Sequence, residues 1–300
     1  MGWRTIYIEE SNNLSLYLDN LKTSDIKGGV LIPLKDIDSI IIDNYKLIIS
    51  SQLLCKCSKN NINFVICDIN HIPISQLLPF SGNCLSSKTL KRQSLWSEEL
   101  KGKLWKDIVY HKITNQVSIL KINEKLQNVE TMINNLQKDI SIYDKTNREG
   151  LFAKIYFRTL FGDKFKRFEV NDTVNAGLNF GYVVLRTMIA KSIVCKGLNP
   201  MLGIFHKGEN NNFNLADDFI KIFRPIIDNY VFNNLTSNQA LFTRQHRLEI
   251  IKLLTGKIEI NGRKQTISNA IDIYIDSIIN CFEKNDNSAV LFPLVKVYDI

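Results

Sequence analysis

From Trp3 to about residue 78 the chain runs in short apolar segments of β type: Thr5-Ile6-Tyr7-Ile8, Leu14-Ser15-Leu16-Tyr17, Val30-Leu31-Ile32 and residues 37–42. Asn, Asp and Gly punctuate them, as turns require. Residues 50–60 interrupt the series with a predicted helix capped by Ser50 or Ser51, and residues 63–67 resume as a buried strand. The pattern predicts a small β domain that ends in the turn-rich stretch at residues 79–83.

Beyond Ser86 the period lengthens. Leu95, Leu100, Leu104, Ile108, Ile113, Val117 and Leu120 recur at helical spacing with no proline among them. Further helices are predicted at residues 123–142, 149–161, 175–196, 215–233, 237–256 and 266–283, with Gly197 as a C-terminal cap. The fold class expected is α+β, with a β domain over residues 1–84 followed by a larger, all-helical domain over residues 85–300.

Charge adds a partner class to this outline. Residues 1–80 hold 7 basic and 8 acidic side chains, and residues 81–300 hold 31 and 22, so the net +8 belongs to the helical part. A basic surface attracts phosphate backbones, although a lysine-rich face can also be a merely soluble one. The first ten residues alternate and carry charge, unlike a signal peptide, and no uninterrupted apolar run reaches the length of a membrane span; a cytoplasmic protein without a membrane partner is expected. The six cysteines are scattered and several sit in apolar runs, which suggests buried free thiols and neither disulfides nor a zinc site.

Three residues stand out as candidates for chemistry. Asn147-Arg148-Glu149-Gly150 opens a helix on which Glu149, Phe152, Ala153 and Tyr156 share one face. Glu149 could simply complement the helix dipole, but a carboxylate on an apolar stripe needs a partner, and a cation is a natural one. In Leu215-Ala216-Asp217-Asp218-Phe219 the helical phase turns Asp218 inward and leaves Asp217 on a surface face with Lys221 and Arg224, as an ion pair. Between them, His206 follows an apolar run and precedes a Gly- and Asn-rich loop; a structural histidine is the plainer alternative. Together, two inward carboxylates and an imidazole suit Mg²⁺ or Mn²⁺ and hence phosphoryl transfer, with Glu149, His206 and Asp218 as ligands. His246 is read as a helix-surface residue.

Candidate DNA contacts are Lys88, Lys91 and Arg92 beside Trp96, Lys164, Lys166 and Arg167 interleaved with Phe165 and Phe168, and Lys207. Ordinary solvated faces would look the same.

At these residues the sequence resembles the CRISPR adaptation integrases, which insert new spacers into a CRISPR array. Asn147 to Gly150 with Ala153 and Tyr156-Phe157 is similar to that family's glutamate motif, Gly203 to His206 to its histidine motif, and Leu215 to Phe219 with Phe223-Arg224-Pro225 to its aspartate motif. Gly2-Trp3-Arg4-Thr5, Leu78-Pro79-Phe80 and the run Arg92 to Glu99 resemble the type II branch. The resemblance implies an N-terminal β-sandwich that mediates homodimerisation. It also implies a heterohexamer with a small ferredoxin-like adaptation protein, acting on double-stranded prespacer DNA and CRISPR leader-repeat DNA. Contacts with the type II interference nuclease and a ring-shaped accessory protein are expected on the same ground. A structure-selective nuclease on branched DNA, using water in place of a 3′-hydroxyl, and a non-catalytic DNA-binding scaffold are the competing functions.

Overall fold

The computed structural model describes residues 2–24, 29–79, 86–127, 129–167, 169, 172–236 and 241–296. They form two compact units, one of residues 1–90 with 190–198 and one of residues 91–189 with 199–300. The expected boundary at residues 79–83, the division between 84 and 85, Phe80 and Phe168 of the quoted motifs, and the start of the helix expected at 237 fall wholly or partly outside the described residues.

The first unit holds two four-stranded sheets. In one, β1 (Arg4–Ile8) and β7 (Asn63–Cys67) both lie parallel to β5 (Ile37–Ile42), and β8 (Pro73–Leu77) pairs antiparallel with β7. Every position of β5 is buried, as expected of a parallel strand covered on both faces. In the other sheet β2 (Asn13–Tyr17) lies between β3 (Asn20–Ser24) and the two-residue β6 (Ile48–Ile49), with β4 (Leu31–Pro33) outermost beside β3. Ile8, Leu14, Leu21, Ile40 and Phe64 from both sheets meet Leu53 and Cys57 of α1 (Ser51–Lys59) in one core. The Ser50 hydroxyl accepts from Leu53 N and caps α1, as the sequence predicts. Strands β3, β6 and β8 were not anticipated; β3 follows a tight turn whose central residues, Leu18 and Asp19, both have positive φ without being glycine. Cys57 and Cys67 are buried as expected, whereas Cys55 is exposed.

The second unit is mostly helical. The helical stretch predicted beyond Ser86 holds two helices, α2 (Ser86–Ser94), which begins in the first unit, and α3 (Glu98–Ile122), because Ser97 caps a new start and Glu98 and Glu99 occupy its first turn. Among the described residues of 123–142 the α-helix is α4 (Glu130–Lys138). α5 (Arg148–Phe161) and α6 (Thr173–Cys195) match their predicted positions. α6 is long and apolar enough to cross a membrane by length and composition, but 67% of that stretch is buried within the protein, as in a core helix. The single helix expected at 215–233 is broken into α7 (Asn214–Phe219), a 3₁₀ turn and α8 (Arg224–Leu235). Pro225 explains the break: it lacks an N–H, and its ring excludes the Lys221 carbonyl from continuous α geometry. α9 (Arg244–Leu253) and α10 (Ile267–Lys284) flank a hairpin of β9 (Lys257–Ile260) and β10 (Arg263–Thr266), so the domain is not all-helical.

Candidate functional site

The helical unit places His206 and Asp218 in contact. Asp218 lies on the inward face of α7 and is 0% exposed. Its Oδ2 accepts from the backbone N–H of Ile204 (2.6 Å) and Phe205 (3.0 Å); its Oδ1 accepts from His206 N (3.2 Å) and meets His206 Nδ1 at 2.6 Å. A carboxylate can only accept here, so Nδ1 carries the hydrogen, and Nε2 is the ring nitrogen left for a ligand in the neutral tautomer. The loop can wrap this tightly because residue 203 is glycine: a Cβ there would collide with the His206 carbonyl oxygen and press on Asp218 Oδ2. Trp105 of α3, fully buried, stacks on Phe205 (centroids 4.1 Å apart) and meets the His206 ring edge-on at 5.9 Å.

Glu149 enters from the start of α5. Asn147 caps that helix through Gly150 N, and the buried Asp144 carboxylate accepts from Arg148 N and Glu149 N (2.8 Å each), so two side chains fix the first turn. Phe152 and Tyr156 bury the face that Glu149 shares. Its Oε1 receives Lys112 Nζ and Lys221 Nζ, each at 2.6 Å. Burial opposes the charge on Glu149, and the two ammonium groups overcome that opposition, holding its carboxyl below the usual range. Burial lowers Lys221 to about 8 against the pull of Glu149, with Lys112 and Arg224 adding to the fall.

The expected surface pair of Asp217 with Lys221 and Arg224 is therefore replaced. Asp217 faces Arg186 at 3.7 Å and accepts from Asn211 (2.8 Å). Lys221 turns inward because the 3₁₀ turn advances each residue further round the axis than an α-helix does, and Asn115 of α3 pins that turn through the Ile222 carbonyl (3.0 Å). The same helix α3 carries Lys112, which brings the two lysines to one oxygen.

A cavity of about 600 Å³ opens beside Glu149, lined by Lys112, Lys154, Arg158, Arg167 and Arg224 together with Phe157, Phe165 and Tyr182. Arg167 is anchored by Asn175 and Asn179, and Arg224 lies over the Tyr182 ring at 4.8 Å with its Nε buried and lacking a hydrogen-bond partner. Beneath them the fully buried Asp228 accepts from the hydroxyls of Tyr156 (3.0 Å) and Tyr182; burial pushes it up to about 6 against those two hydrogen bonds.

Of the basic residues picked from the sequence, only Arg167 faces this cavity. Lys164 and Lys166 are exposed, as are Lys88 and Lys91; Arg92 is paired with Glu283, Trp96 stacks on Phe282, and Lys207 pairs with Glu98 at 3.2 Å. Lys112, Lys154, Arg158 and Arg224 were missed. Lys112 carried a signal, standing four residues after Ile108 and seven after Trp105 on the buried stripe of α3, where a lone charge needs a partner. His246 is the third residue of α9, where its Nδ1 accepts from Thr243 N (3.1 Å).

Among the described residues no group of three or more His, Cys, Asp and Glu side chains stands together as a ready metal centre. Two of the three candidate ligands touch, and Glu149 is engaged by ammonium groups, one of which, Lys221, lies 5.2 Å from the Trp105 ring that also borders His206. The donor set still fits a hard divalent cation in kind, being two carboxylates and an imidazole, and Glu149 already sits where two positive charges converge.

The family described as CRISPR associated protein Cas1 matches residues 6–257. The CRISPR-associated endonuclease Cas1 of Neisseria meningitidis serogroup C (strain 8013) is 35% identical over 280 residues, spanning 92% of this chain and 91% of that one. Among solved structures, a casposase bound to its integration product superposes with a TM-score of 0.79 at 19% identity, covering 95% of this chain and 93% of that one. A Cas6-RT-Cas1–Cas2 complex gives 0.76 at 15% identity, over 96% of this chain and 36% of that one. At those identities the structures share the fold.

Proposed function

Because the chain belongs to the CRISPR-associated Cas1 family, we propose that it is a metal-dependent DNA integrase that inserts prespacer DNA into a CRISPR array during adaptation. The observation that carries this reading is the cavity in which Glu149 is surrounded by Lys112, Lys154, Arg158, Arg167 and Arg224, a field suited to phosphate and not to a neutral substrate.

In the proposed reaction a prespacer 3′-hydroxyl attacks a phosphodiester of the repeat. A new P–O bond forms as the old one breaks, the departing 3′-oxygen takes up a proton, and no nucleotide cofactor is consumed. Two such steps, at the leader-repeat junction and at the far end of the repeat, insert the spacer. Glu149, His206 and Asp218 would hold Mg²⁺ or Mn²⁺, which when bound stabilises charge on the phosphate and assists both the attacking and departing oxygens. Asp218 and Gly203 orient His206, and Trp105 excludes water from its flank. Lys154, Arg158 and Arg224 position the DNA backbone through charge. Hydrolysis by the same site, as the name endonuclease implies for relatives, needs only water in place of the hydroxyl.

The assembly proposed is a cytoplasmic type II adaptation complex. The two N-terminal sheets would act as a dimerising β-sandwich, and two dimers would flank a dimer of a small ferredoxin-like partner, a pairing in keeping with the Cas1–Cas2 content of the similar complex. The interference nuclease and the ring-shaped accessory protein would join it. The test is an integration assay with that partner, a duplex bearing 3′-hydroxyls and a supercoiled repeat plasmid. Joined product that requires Mn²⁺ and the hydroxyl and disappears in His206→Ala supports the reading; joining that persists without metal, or in the variant, overturns it.

A further inference from the structure

The two ammonium groups on Glu149 form an arrangement whose charge is unbalanced. Lys112 and Lys221 reach the same oxygen, Oε1, with side chains only 7% and 10% exposed, while Glu149 is 14% exposed. Three buried charges then carry a net excess of one positive, and the two cations repel each other across the carboxylate that joins them. Among the described residues, both lysines form their ion pair with this single carboxylate. Each lysine also has a second neighbour beside the carboxylate: Lys221 Nζ already lies 5.2 Å from the centre of the Trp105 ring, a π face able to hold a cation, and Lys112 already lines the open basic cavity.

We propose that Lys112 and Lys221 are exchangeable counter-ions that keep Glu149 neutralised in the metal-free protein and leave it when a divalent cation arrives. The inference rests on the metal reading above. It accounts for the pairing of Glu149 with two lysines while His206 and Asp218 pair with each other, since a largely buried carboxylate left bare would otherwise be uncompensated. It also sets the affinity: the ion must displace an ammonium group, so metal binding is a competition within the protein and weaker than the three ligands alone would give.

The test is calorimetric titration of the metal-free, full-length chain with Mn²⁺, comparing wild type, Lys221→Met, Lys112→Met and Glu149→Gln. Methionine keeps the volume of the lysine stem, and each single variant leaves Glu149 one ammonium partner, so the site stays folded. Lys221→Met or Lys112→Met should bind Mn²⁺ at least tenfold tighter than wild type, a change of about 1.4 kcal/mol, and Glu149→Gln should lose the site. Equal or weaker binding by both methionine variants, with Glu149→Gln inactive in binding, overturns the exchange alone. Binding by Glu149→Gln that matches wild type, or no binding by any form, overturns the metal assignment and the exchange with it.

Discussion

Asp218→Asn is the most informative single substitution, because the structure specifies what it removes. The carboxylate accepts from four donors: three consecutive backbone N–H groups and His206 Nδ1. An amide keeps one acceptor oxygen and turns an NH₂ toward the other pair, so two of the four donors lose their acceptor and face a donor instead. Hydrogen bonds to a charged group contribute about 1.5–3 kcal/mol each, and the site is closed to water, so the loss should be about 3–6 kcal/mol. The neighbouring Asp217→Asn is the control. Asp217 meets Arg186 only at 3.7 Å, and its amide could still accept from Asn211, so less than about 1 kcal/mol is expected. Urea denaturation at neutral pH, followed by the emission of the buried Trp105 that packs on Phe205 and His206, measures both. Equal losses in the two variants would refute the assignment of Asp218 as the residue that holds the histidine loop.

Other outcomes follow from the same geometry. Asp228 is raised to about 6, so between the ordinary carboxylate value and that pH the native protein binds more protons than the unfolded chain, and its contribution to stability falls as pH rises through the window. The stability of wild type minus that of Asp228→Asn should therefore decline by about 2 kcal/mol from pH 4 to 6 and level off above about pH 7; a flat difference would contradict the buried environment of this carboxyl. Gly203→Ala, which forces a Cβ onto the His206 carbonyl, should cost about 2–3 kcal/mol in thermal unfolding, and a melting temperature equal to wild type would rule out the tight loop. If Lys154 and Arg158 each neutralise a phosphate, replacing both with alanine should reduce the slope of log affinity against log salt by about 0.7–0.9 per residue. An unchanged slope would place the DNA elsewhere.

The candidate site residues were legible as inward-facing charges where a local pattern exposes a contradiction. Glu149 and Asp218 fall on apolar stripes of period 3.6, and a charge on such a face must be compensated, whatever the surrounding fold. The succession of N-terminal strands and a mostly helical remainder was legible for a similar reason, since the change from period 2 to period 3.6 is a property of neighbouring residues alone, whereas the inclusion of residues 190–198 in the first unit was not. The β9–β10 hairpin had an available signal, Asn261-Gly262 between alternating Ile258, Ile260 and polar residues, that helical periodicity on either side obscured.

Compensation itself was decided in three dimensions. The sequence by itself determined that Glu149 and Asp218 need partners, but Glu149 met Lys112, 37 residues away, and Lys221, 72 away, and Asp218 met a backbone loop. Those pairings depend on the packing of α3 against the turn that Pro225 forces, where Asn115 holds the Ile222 carbonyl and Lys221 is carried from the surface into the interior. The cavity arises in the same way, from cations on α3, α5 and α8 whose spacing along the chain carries no common period. Local periodicity encodes which side chains turn inward; only the assembled helices settle which of them meet.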